Sequence, residues 1–190
     1  MMVSSGRRRV ALTLSTMVLG VCVSLPPALA TPALDDRAPA VPANLEVPEG
    51  NTVAFHAHAG GVQIYVCKPS ATDATQFAWS FKAPKAKLFD AEGNVVGIHY
   101  VGPTWQSQSG SKVVGAVVQS AAAPDLDAIP WLLLQAKSTK GPGVFDRVTF
   151  VQRVNTGGGK APATGCDAAD VGREVRVPYT AEYFFYRGTS

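Results

Sequence analysis

From Asn51 onward the chain is a succession of short runs in which apolar side chains recur at every second position, separated by Gly, Pro, Asn and Asp. A period of two is the repeat of an extended strand with one buried face, and it does not suit a helix. Val53, Phe55 and Ala57 alternate with His56 and His58; after Gly60 and Gly61, Val62, Ile64 and Val66 alternate with Gln63, Tyr65 and Cys67. The pattern predicts two strands joined by a tight turn at the glycines. Phe77, Trp79 and Phe81 share one face of a further strand, with Trp79 expected in the core. Residues 87–89 and 95–101 flank Asp90-Ala91-Glu92-Gly93-Asn94, which reads as a hairpin loop. Residues 112–119, 148–155 and 173–186 supply three more strands, the last interrupted by Pro178, which marks a bulge or a sheet edge. Residues 121–128 are alanine-rich but broken by Pro124, and 129–136 form a continuous apolar run compatible with a buried strand or two helical turns. Eight or nine strands without βα alternation predict an all-β fold, a β-sandwich or barrel of mostly antiparallel strands with few short helical turns.

The part preceding this pattern has a different character. Arg7, Arg8 and Arg9 form a positive cluster, residues 10–25 are apolar, and Ala28-Leu29-Ala30 makes a small-x-small cleavage site, so 1–30 reads as a secretory signal peptide. The apolar stretch is shorter than the ~20 residues a transmembrane helix needs. Cleavage is therefore expected, leaving no transmembrane segment. Val21 before Cys22 argues against lipidation, and Val10-Ala11-Leu12 after the arginines fits a twin-arginine signal only loosely. The expected organisation is a signal at 1–30, an Ala/Pro-rich arm at 31–47 and a single β domain at 48–190, in a secreted or periplasmic protein.

Removing the signal changes the charge balance. It holds three of the 17 basic residues and none of the 14 acidic ones, so the remainder is neutral, with 14 of each sign. No Lys/Arg run remains, which sets nucleic-acid binding aside. Cys67 and Cys166 are the two cysteines left. An even count in an oxidising compartment favours a disulfide, whereas free thiols serving as a redox or metal pair would lack any Cys-x-x-Cys spacing.

Chemistry-bearing motifs are sparse. His56 and His58 lie on one face of a strand, and with His99, the only other histidine, they could complete a Zn or Cu site; otherwise they stand in solvent. Gly157-Gly158-Gly159-Lys160 resembles a phosphate cradle, but Val154 and Ala161 occupy positions where a P-loop requires Gly and Ser or Thr. No Gly-x-Ser-x-Gly elbow is present. Asp90, Glu92, Asp125, Asp127, Asp146 and Glu182 show no spacing that selects a catalytic carboxylate pair. Trp105, in the Gly102-Pro103-Thr104-Trp105 turn, either packs beneath the loop or stacks on a ligand such as a sugar ring.

Five blocks carry a family resemblance: Gly61-Val62-Gln63-Ile64-Tyr65-Val66-Cys67, His99-Tyr100-Val101-Gly102-Pro103-Thr104-Trp105, Ile129-Pro130-Trp131-Leu132-Leu133-Leu134, Gln152-Arg153-Val154-Asn155-Thr156-Gly157-Gly158 and Val177-Pro178-Tyr179-Thr180-Ala181-Glu182-Tyr183. In this order they resemble the domain of unknown function 3455 (DUF3455), a family of exported bacterial and fungal proteins. The resemblance brings no established activity, and it implies pairing of Cys67 with Cys166. A malate dehydrogenase label on some fungal relatives finds no support here, since Gly-x-Gly-x-x-Gly and a βαβ unit are both missing. The resulting expectation is a binding or envelope-associated β module without a cofactor, its ligand surface at His99, Tyr100, Thr104 and Trp105, its partner an envelope glycan or another exported protein. The alternative is a metalloenzyme with Zn or Cu at His56, His58 and His99.

Overall fold

The computed structural model describes Met1 and residues 38–189. The signal-peptide reading of 1–30 and the first part of the arm lie outside the described residues, Met1 apart. Eight strands follow in order: β1 (Asn51–Pro69), β2 (Phe77–Phe89), β3 (Val95–Tyr100), β4 (Thr104–Ser107), β5 (Lys112–Ala121), β6 (Trp131–Lys140), β7 (Val148–Gly158) and β8 (Glu174–Gly188). Each pairs antiparallel with its neighbour in sequence, and β8 returns to pair with β1 from Asn51↔Gly188 to Val66↔Glu174. The all-β expectation therefore resolves as a closed up-and-down barrel.

Two local expectations change, and one open alternative is decided. Gly60 and Gly61 make no turn; β1 runs straight through them. Gly61 faces Ala86 so closely that a Cβ on it would lie 2.2 Å from the Lys85 carbonyl oxygen, so the glycine serves close approach of two strands. Of the two readings of the apolar run at 129–136 the strand holds, residues 131–136 lying in β6, and 122–128 belong to no strand or helix, the Asp125 side chain accepting from the Asp127 amide at 2.9 Å. Trp79 is half-buried rather than central: its indole N–H donates to the Thr164 carbonyl at 2.9 Å, and the Arg173 guanidinium lies 5.6 Å from its ring centre. The hairpin loop between β2 and β3 forms as read, with Gly93 at φ 83° and Asp90 accepting from the Asn94 amide. Pro178 falls one position beyond the last β7–β8 pair, Gly158↔Tyr179, where its missing N–H breaks no ladder bond.

Alternation along the strands sorts side chains into lumen and outer wall. Leu88, Trp105, Val113, Leu134, Phe145, Val151, Tyr183 and Phe185 fill the lumen. An outer cluster forms where Val41 and Val47 of the arm cover Phe184, Tyr186 and Val154 beside Trp131. The arm is tied there by Gln152, whose amide donates to the Leu45 carbonyl at 2.6 Å. Its described part is thus packed onto the barrel. Cys67, near the end of β1, is bonded to Cys166 in the 159–173 connection, as the residue count and the family resemblance both favoured.

Candidate functional site

The β3–turn–β4 hairpin carries the four expected ligand residues, and strand alternation separates them. His99 and Trp105 are register partners whose rings both point into the lumen, stacked 4.4 Å apart at 11°. They are 3% and 1% exposed. Exposed stacking on a sugar is therefore closed to Trp105, because the ring is enclosed, stacked on His99 and met edge-on by Tyr183 and Phe185. Thr104 is buried and donates its hydroxyl to the Val101 carbonyl at 3.0 Å, which fastens the turn. Tyr100, on the opposite face, is half-buried on the outer wall and donates to Gln106 Oε1 at 3.1 Å.

The lumen around His99 is polar. Gln63, Tyr179 and Tyr183 are buried there, with Arg153 close enough to bear on His99 and both tyrosines. Burial pushes the Tyr179 and Tyr183 phenols above their ordinary range. A carbonyl can only accept, so the 2.9 Å contact with the Thr104 oxygen places the His99 proton on Nδ1. Burial holds His99 down to about 3, with the Thr104 bond opposing and Arg153 reinforcing the shift. The unfolded chain therefore binds one more proton than the folded one between about 3 and the ordinary value of 6.5. Acidification through this window must cost stability, with a limiting slope of about 1.4 kcal/mol per pH unit. Urea unfolding at pH 7 and pH 5 should show a steeper loss in the parent than in His99→Gln, in which the carboxylate contributions remain. Equal losses would refute a buried neutral imidazole.

The three-histidine site is not assembled. His56 and His58 point outward from β1 while His99 points into the lumen, so the barrel wall stands between them. The third group beside the two strand histidines is Glu182 of β8: His56 Nε2 lies 3.1 Å from Glu182 Oε2, and His58 Nδ1 lies 3.9 Å from Glu182 Oε1. Sequence reasoning had Glu182 only as one of six unpaired carboxylates, since nothing local reveals that it is the register partner of His58.

On the outer wall of β1, β2 and β3 is a cleft of about 620 Å³. Its apolar surface comes from Ile64, Ala83, Pro84, Ile98, Tyr100 and Val101, with Ile98 and Val101 substantially exposed. Gly60 and Gly61 belong to its lining. Lys85, Lys87 and Arg176 supply three exposed cations, and among the described residues no carboxylate lines it. The lining takes in His99 and Tyr100 of the expected ligand set but neither Thr104 nor Trp105. The signal that could have found it is the outward set Val62, Ile64 and Val66, apolar on the face opposite Gln63, Tyr65 and Cys67.

A closed eight-stranded antiparallel meander with a filled lumen and a ligand-sized cleft on its wall defines a small β-barrel domain. The chain belongs to the family described as protein of unknown function DUF3455, whose profile matches residues 48–187. No curated protein and no solved structure matches it. Among the described residues, no helix is long and apolar enough to cross a membrane.

Proposed function

We propose that the protein is an exported binding module and that the cleft on β1–β3 takes an amphipathic carboxylate, a fatty acid in chemical class. The observation that carries this reading is an apolar cleft bearing three cations and, among the described residues, no acid. Its volume lies within the range of roughly 300–1,000 Å³ usual for small-molecule sites. An acyl chain would cover Ile64, Pro84 and Ile98, while its carboxylate would meet Lys85, Lys87 or Arg176. The signal-like N-terminus and the Cys67–Cys166 bond support a location outside the cytoplasm. A glycan suits the cleft less well, because Trp105 is interior and the sugar would face aliphatic side chains.

Calorimetric titration with dodecanoate, with dodecanol and with soluble peptidoglycan fragments tests the assignment. Dodecanoate should bind more tightly than dodecanol at low salt, and the difference should shrink as salt screens the cations. Ile98→Asp should abolish binding of both, while Lys85→Glu with Arg176→Glu should weaken dodecanoate selectively. Absence of dodecanoate binding, binding indifferent to Ile98→Asp, or preferential binding of the glycan fragments would overturn the proposal.

A further inference from the structure

We propose that His56, His58 and Glu182 form a divalent transition-metal site on the outer wall of the barrel, separate from the cleft residues that carry the binding function. Each residue offers one ligand atom, and these atoms all lie within 4.8 Å of one another. Strand geometry produces the arrangement. His56 and His58 are two positions apart on β1 and so share a face, and Glu182 is the register partner of His58 on β8. Its carboxylate extends to both rings.

Tetrahedral Zn holds its nitrogen and oxygen ligands at about 2.0–2.2 Å, which places donor atoms roughly 3.3 Å apart. The pair His56 and Glu182 already meets that spacing at 3.1 Å. His58, at 48% exposure, and Glu182, at 25%, have room to swing through the remaining distance. His56 is the preorganised member: it is buried, and its ring stacks on Phe184 with centroids 3.9 Å apart and planes 14° from parallel. Two imidazoles and one carboxylate form a borderline donor set that suits Zn²⁺, Cu²⁺ or Ni²⁺, whereas Mg²⁺ and Ca²⁺ prefer oxygen alone. The exposure of His58 leaves the remaining coordination positions toward solvent.

The chain has three histidines in all, and His99 is enclosed in the lumen. Imidazole-dependent metal binding by the folded protein therefore reports on this site. Untagged, oxidised protein titrated with Zn²⁺ and with Cu²⁺ should bind one equivalent of each, Cu²⁺ more tightly, and Mg²⁺ should not compete. His58→Ala and Glu182→Gln should each weaken Zn²⁺ binding by at least about tenfold, the lower bound seen for groups that merely orient metal ligands. The half-exposed His58 can be removed without opening the core, and circular dichroism checks that the variant is folded. In NMR spectra the His56 and His58 ring signals should move on adding Zn²⁺ while those of His99 stay. No Zn²⁺ or Cu²⁺ binding by the parent, or binding unchanged in both variants, would overturn the site.

Discussion

Trp105→Ala should destabilise the barrel by about 3–5 kcal/mol, the cost typical of removing a large aromatic from a packed core. The indole is 1% exposed and touches aromatic groups on several sides. It stacks on His99 at 4.4 Å and meets Tyr183 and Phe185 edge-on at 5.3 and 5.9 Å. Gly115 contributes to the fit, since a Cβ there would come within 3.3 Å of the Trp105 ring. Truncation to alanine would leave His99 and Tyr183, both buried, facing a void that a closed eight-stranded wall has little freedom to fill. Urea denaturation measures the loss, and a cost below about 1 kcal/mol would place Trp105 at the surface after all. Ligand binding in the outer cleft should change little where the variant remains folded, because Trp105 does not line it.

Breaking the Cys67–Cys166 bond should lower stability by about 2–5 kcal/mol. The bond closes a loop of 99 residues, long enough that the chain-entropy model puts its effect near the upper end of that range. Its structural role is to hold the 159–173 connection against the end of β1. The same region is joined by Cys67 N–H to the Arg173 carbonyl at 2.9 Å, Gly172 N–H to the Cys67 carbonyl at 3.0 Å and the Trp79 indole to Thr164. Cys67→Ser with Cys166→Ser should therefore melt earlier by about 2–4 °C for each kcal/mol lost in a domain of this size. The connection should also become the first site of proteolytic cleavage. A double variant with the parent's melting temperature and cleavage pattern would show that these hydrogen bonds suffice alone.

Much of the wall was legible in the sequence, and much of the site was not. Strand positions follow from period-two alternation, a local property, so 87–89, 112–119 and 148–155 fall on strands, as does all of 95–101 but Val101, which lies in the turn. The hairpin at Asp90–Asn94 was readable for the same reason, its turn residues being contiguous. The glycine pair at 60–61 was misread as a turn because glycine serves both a reversal and a close approach of neighbouring strands, and only the presence of Ala86 and Lys85 across the ladder distinguishes the two. Trp79 was assigned to the core from its apolar neighbours, yet its strand has a register shift against β1 nearby and its ring lies under the disulfide-bearing connection.

Sequence alone determined that the chain is all-β and that Cys67 and Cys166 favour pairing, because these depend on local periodicity and count. Tertiary structure decided which way each face points. Once β8 closes on β1, the alternation that places His99 and Trp105 in the lumen also places His56 and His58 outside, so one candidate metal set dissolves and another forms. Glu182 stands 126 positions from His56 in the chain and 3.1 Å from it in space, a proximity set by strand register and barrel closure. Register is a long-range property, fixed by the fit of all the strands together, and no single segment encodes it.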